Sequence, residues 1–197
     1  MARLLLIRHG QSTWNADGRW QGRADPPLSD VGRRQAAEAT AAIGAVDAVF
    51  SSTLERARHT AEIIAEGIGV GPVIAIPDLI ERDAGEWQGL TRDEIDEQYP
   101  GFLAAGHRPP RWEADQDLRA RALRGISGIL GAIGDGDAIV VTHGGLIYEM
   151  ERALGGSFER IANLGSRWIL GTSVDALVLG DRMDLLGGVD VTIPDQI

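Results

Sequence analysis

"LLIRHGQSTWN", residues 5–15, drives an apolar run straight into Arg8 and His9, and how that junction is read decides the fold. Ala2 to Ile7 is rich in branched residues and lacks the polar alternation of a half-exposed strand, so it reads as a central strand buried on both faces. A strand that ends on an Arg-His-Gly turn carries its polar groups to the rim of a sheet. In open α/β sheets ligands bind outside the carboxyl ends of the strands.

Working outward, Gly32 to Ile43 predicts a helix capped by Ser29 or Asp30, and Ala48 to Phe50 a short strand. Ser52-Thr53-Leu54-Glu55 has the form of a capping box opening a helix to about Glu66, and Thr91-Arg92-Asp93-Glu94 is a second box whose helix must stop near Pro100. Val73 to Ile76 and Ala138 to Thr142 read as strands, Asp117 to Ile133 and Leu146 to Leu154 as helices. Ser166 to Leu186 reads as two antiparallel strands with Gly180-Asp181 as their turn. Strands alternating with helices predict an α/β fold, a three-layer sandwich on a mostly parallel sheet. Residues 1–197 are expected to form one domain, with about 85–115 as a cap-like insertion over one end of the sheet.

Composition narrows the chemistry. The 197 residues are 44% hydrophobic, enough for a real core. No apolar run reaches membrane-spanning length, and Met1 to Ile7 is too short for a signal peptide, so a soluble, cytoplasmic protein is expected with no membrane partner. With no cysteine, thiolate chemistry and disulfides are excluded. A net charge of −10 without a basic run argues against nucleic acid as a partner. All 19 basic residues are arginine, which removes Schiff-base lysines and the P-loop lysine. An anion site here must be built from guanidinium, imidazole and backbone amides.

Three predicted strands end in such groups: Ile7 into Arg8-His9-Gly10, Phe50 into Ser51-Ser52 with Arg56 one helical turn on, and Val141 into Thr142-His143-Gly144-Gly145. Two arginines and two histidines meeting beside helix N-termini suit a phosphoryl group, because the guanidinium fork matches phosphate oxygens in pairs. A neutral imidazole held in one tautomer can attack phosphorus. "LIERDAGEWQG", residues 79–89, adds Glu81 as a proton donor to a leaving oxygen, ranked above Asp83 and Glu86 by its spacing to the glycines.

These residues resemble the histidine phosphatase superfamily, which includes the cofactor-dependent phosphoglycerate mutases. The likeness rests on four ordered motifs: Arg8-His9-Gly10-Gln11-Ser12 with Asn15, Ser51 to Ala57, Leu79 to Gly89, and His143-Gly144-Gly145. It implies a phosphoglycerate mutase-like fold. It further implies His9 as the nucleophile of a phosphohistidine, a phosphate pocket completed by Arg8, Arg56 and His143, and Glu81 as acid and then base. Asn15, Gln21, Gly22 and the amide of Gly144 would line the substrate, and no metal or cofactor is expected. The short insertion and the Gly-Glu-Trp-Gln-Gly sequence resemble phosphatase members, so hydrolysis of a small phosphorylated metabolite is favoured. A mutase and a non-catalytic phospho-ligand module are the alternatives.

Arg58 and His59 read as helix-surface residues, and His107 as solvent-exposed. Arg19, Arg23, Arg92, Arg108 and Arg111 read as solvated charges, or as a second anion contact beside the pocket. Trp14, Trp20, Trp87 and Trp112 read first as packing residues, with Trp20 and Trp87, flanked by glycine and glutamine near the motifs, the two to test as ligand platforms. The C-terminal strands with Leu185-Leu186 could serve a homodimer interface.

Overall fold

In a computed structural model that describes residues 1–188, 191 and 193, six strands form a single sheet in the order β3-β2-β4-β1-β5-β6. β1 (Ala2–Arg8), β2 (Ala48–Ser52), β3 (Ile74–Ile76) and β4 (Asp137–Thr142) are parallel; β5 (Gly165–Gly171) and β6 (Val178–Asp184) complete the sheet antiparallel. The expected α/β architecture is present.

The apolar run in β1 follows from its central place. Leu4 and Leu6 point into one core with Phe50 and Val140, beneath helices α6 (Asp115–Ile133) and α7 (Gly144–Ala153). Leu5 and Ile7 point into the other with Val49, Ile139 and Val141, beneath α2 (Asp30–Ala39) and α3 (Glu55–Ile68). Successive side chains on a strand face opposite ways, so a strand covered on both sides must be apolar at every position. A third cluster, Trp20, Trp87 and Ile95 with Tyr99, Phe102 and Trp112, packs the segment above the sheet. That segment holds the expected short helix α4 (Arg92–Gln98) and, after Pro100, a second, α5 (Phe102–Ala105), that local sequence does not announce. The remaining helix, α1 (Thr13–Ala16), follows the β1 turn.

Two of the three predicted caps form. Ser29 caps α2 through the N–H of Gly32, after which the chain tightens into a 3₁₀ turn at Thr40–Ala42, and Thr91 and Glu94 form the full capping box of α4. The Ser52 box does not form. Ser52 Oγ is held by the His143 ring at 2.8 Å and accepts from Leu54 N, while the first N–H of α3, Glu55, donates to Asp25 Oδ1 at 2.7 Å. Gly180-Asp181 is likewise not the C-terminal turn. Both residues lie within β6, and the chain reverses through a 3₁₀ turn at Val174–Ala176. Glycine at 180 serves close packing instead, since a Cβ there would stand 2.8 Å from Trp168 Cβ and Leu170 Cδ1. Leu185 and Leu186 are buried in the protomer's own core, so they present no exposed apolar face to a second copy.

Candidate active site

The carboxyl ends of β1, β2 and β4 converge. Backbone pairing sets Arg8 beside Thr142, and His9 N donates to the Thr142 carbonyl at 3.0 Å, so the turns after β1 and β4 lie side by side. Arg8, His9, Arg56, Glu81 and His143 are each at least nine-tenths buried, and the rings of His9 and His143 stand 5.1 Å apart, inclined at 62°.

His9 has a defined tautomer. Its Nδ1 lies 2.7 Å from the Gly10 carbonyl, which can only accept, so Nδ1 carries the proton. Nε2 is left with a lone pair and accepts from Arg56 Nε at 3.2 Å. Burial, then the charges of Arg56 and Arg8, push the imidazole well below its usual pKa, against the opposing pull of the Gly10 carbonyl. His143 is pushed down by burial first and then by Arg56, His9, Arg121 and Arg8. Both rings are neutral at physiological pH.

Arg56 sits in the first turn of α3 and is fixed by the carbonyls of Ala24, at 2.7 Å, and Gly22, at 2.9 Å. Burial lowers its guanidinium to about 10, which leaves it cationic at neutral pH. Arg8 donates to the Ile161 carbonyl at 2.7 Å, and its buried Nε has no partner among the described residues. That orphaned donor beside a polar cavity is a group an anion would satisfy.

The cavity at this edge spans about 440 Å³ of non-atom space, part of it open to solvent. Arg8, His9, Asn15, Gln21, Gly22, Arg56 and Glu81 line it, as the sequence suggested, joined by Trp20, Arg82, Ala84, Trp112 and Gly145. His143 stands behind His9, off the cavity wall, with Nε2 on Ser52 Oγ and Nδ1 unpartnered. Gly144 opens α7, and it is Gly145 that lines the cavity. Gly145 N–H donates to Glu81 Oε2 at 3.1 Å, while a Cβ at 145 would come within 2.5 Å of Glu81 Oε1. Only glycine lets the acid approach the backbone this closely.

Of the tryptophans singled out by sequence, Trp20 reaches the cavity, but Trp87 is wholly buried in the cluster above it and Trp112 takes its place on the wall. Local sequence cannot separate these indoles, because the segment's folding decides which ring faces inward. Arg58 and His59 lie on the surface of α3 beside Glu62, and exposed His107 packs on Phe102. Asn163 was missed altogether: fully buried, it donates to the His9 carbonyl at 2.9 Å and to Asn15 Oδ1 at 3.3 Å from 154 residues along the chain.

A wider groove of about 1210 Å³ continues from the cavity across Arg82, Trp112 and Gly145 to Tyr148, Arg152 and Phe158. Arg108 overhangs it with its guanidinium 4.8 Å from the Trp112 ring centroid, and among the described residues it makes no hydrogen bond or ion pair.

The model of the histidine phosphatase superfamily (branch 1) matches residues 4–174. A metal-independent phosphoserine phosphatase of Arabidopsis thaliana is 33% identical over 189 residues, covering 91% of this chain and 77% of the relative. A glucosyl-3-phosphoglycerate phosphatase of Mycolicibacterium vanbaalenii is 36% identical over 166 residues, covering 77% and 73% respectively. Among solved structures, a mycobacterial glucosyl-3-phosphoglycerate phosphatase in complex with VO3 superposes with a TM-score of 0.81 at 28% identity, covering 90% of this chain and 96% of that one. The family match spans the strands that deliver both histidines and both arginines, and on it the chain belongs to the histidine phosphatase superfamily, branch 1.

Proposed function

We propose that the protein hydrolyses a small phosphomonoester through a phosphohistidine at His9, without a metal. One observation carries this reading: His9 is neutral, with its proton fixed on Nδ1 and its unprotonated Nε2, held by the Arg56 guanidinium, in a cavity shared with Arg8, Arg56 and Glu81. Nε2 attacks phosphorus as the ester P–O bond breaks, and Glu81 gives a proton to the departing oxygen. Water then attacks phosphorus as the P–Nε2 bond breaks, Glu81 takes a proton from that water, and inorganic phosphate leaves. Arg8 and Arg56 stabilise the charge on the non-bridging oxygens, the role that divalent metals fill in many phosphoryl-transfer enzymes.

The leaving group lies toward the groove. Arg108 is an unpaired cation there, set against an aromatic face beside the phosphate cavity, and it supports an alcohol that carries a carboxylate. The named relatives, a phosphoserine phosphatase and a glucosyl-3-phosphoglycerate phosphatase, fit that chemistry.

Rapid acid-free quenching during turnover, followed by intact-mass measurement, tests the mechanism. Wild-type protein should gain one phosphoryl group, mapped to His9, and His9→Ala should gain none and release no phosphate. A phosphorylated His9→Ala protein that still turns over would overturn the assignment. A panel of phosphorylated hydroxy acids, amino acids and neutral sugars, read as kcat/KM, then tests the carboxylate.

A further inference from the structure

Glu81 does not hold itself in place. Among the described residues its carboxylate accepts hydrogen bonds only from backbone N–H groups, those of Arg82 and Gly145. What fixes the loop beneath it is Arg121, a buried side chain on α6 that the proposed reaction leaves unused.

Arg121 Nη1 donates to the carbonyls of Asp78, at 3.0 Å, and Ile80, at 2.5 Å, and Nη2 donates to the carbonyl of Glu81 itself at 2.9 Å. Nε and Nη2 then grip the Glu113 carboxylate in a fork at 2.8 Å each. These five bonds use all the donors a guanidinium has. Glu113 also accepts from Asp83 N at 3.1 Å, so the pair clasps the loop on both sides of Glu81. An ion pair this deep is a poor source of net stability, because desolvation offsets its attraction. Geometry is the better account of its presence. A lysine could supply a charge but not five donors in one plane.

We propose that Arg121, locked by Glu113, is a positioning residue for the proton-transfer step: it sets the distance from Glu81 to the leaving oxygen and leaves the attack by His9 untouched. The proposal rests on Glu81 as the general acid. Its signature is therefore dependence on the leaving group. An alkyl phosphate such as glycerol 2-phosphate needs a proton on its departing oxygen, whereas p-nitrophenolate departs readily without one.

Arg121→Lys is compared with wild type and with Glu81→Gln on both substrates. For Arg121→Lys, kcat/KM on glycerol 2-phosphate should fall about tenfold to a hundredfold while p-nitrophenyl phosphate stays near wild type. Glu81→Gln should show the same selectivity, more strongly. If Arg121→Lys does not fold, the double variant Arg121→Gln/Glu113→Gln keeps a hydrogen-bonding pair without a lone buried charge, and the same selectivity is expected. A folded variant that loses both activities by one factor, or neither, overturns the positioning role when Glu81→Gln remains selective. Equal losses in Glu81→Gln overturn the acid assignment itself, and the role of Arg121 with it.

Discussion

Arg56 donates its Nε proton to Nε2 of His9 across 3.2 Å, on the nitrogen opposite the one that bonds the Gly10 carbonyl. A cation thus sits against the unprotonated nitrogen, whose lone pair accepts the bond. The contact keeps that atom unprotonated, and a phosphoryl group entering between the two would take over the guanidinium's hydrogen bond. Arg56 accordingly depresses the pKa of His9, and in the proposed reaction it would also receive the substrate's charge.

Replacing Arg56 separates those roles. Arg56→Gln should lower kcat/KM by about 10²–10³ and move the acid limb of the pH-rate profile to higher pH, because His9 loses a neighbouring positive charge. Arg56→Lys retains charge and should lose rate without moving that limb as far. The pH dependence of kcat/KM with p-nitrophenyl phosphate checks this, and an unshifted limb in Arg56→Gln would contradict the electrostatic account.

Stability should carry the imprint of the two buried imidazoles. His9 and His143 have folded-state pKa values well below normal, owing first to burial and then to the arginines around them. In the unfolded chain they protonate near pH 6.5, so unfolding takes up protons below that pH. The stability is fully present above about pH 6.5 and falls as pH drops toward the folded-state values, with a slope of about 2.7 kcal/mol per pH unit for two histidines. Denaturant melts between pH 7.5 and 5 measure the slope, and His9→Ala should roughly halve it. A flat profile through that window would mean that the rings protonate in the folded protein.

The sequence made β1 legible because its burial on both faces leaves a local mark: every position from Leu4 to Ile7 is apolar. The same holds for the Thr91 capping box, whose partners lie three residues apart. It failed where one residue had two possible employers. Ser52 was engaged by His143 from 91 residues away and Gly180 by the Trp168 face, and neither partner is visible in local spacing. At the site, strand ends brought Arg8, His9, Arg56 and His143 together as their positions suggested. Arg108 and Trp112 could be named only within groups of like residues, and Arg121 and Asn163 not at all, because their orientation depends on packing between distant segments.

Arg108 should govern substrate choice more than rate. Arg108→Ala is expected to raise KM about tenfold for phosphomonoesters whose alcohol carries a carboxylate, the cost of one lost charge-assisted contact, while leaving p-nitrophenyl phosphate nearly unchanged. Trp112→Leu removes the face on which the guanidinium rests, 4.8 Å from the ring centroid, and should act in the same direction. Steady-state kinetics on paired substrates with and without the carboxylate read the effect. An equal change on both would remove Arg108 from recognition.

Asn163 binds the Arg8-His9 turn from behind. The segment from Ile161 to Leu164 accepts from Arg8 Nη1 through the Ile161 carbonyl, donates to the Arg8 carbonyl through Leu164 N, and supports His9 through the Asn163 amide. Leu164 adopts φ +57°, a conformation disfavoured for a branched side chain, so the segment is bent to make these contacts. Asn163→Ala leaves the buried His9 carbonyl without that donor and should cost about 1–3 kcal/mol of stability. It should also slow phosphoenzyme formation about tenfold, since small displacements of an attacking atom are expensive, with little change in KM. Stopped-flow bursts with p-nitrophenyl phosphate, run beside thermal melts, separate the two effects. A lower Tm with an unaltered burst rate would reduce Asn163 to a packing residue, whereas a slower burst at a temperature where the variant is fully folded would place it among the groups that aim His9.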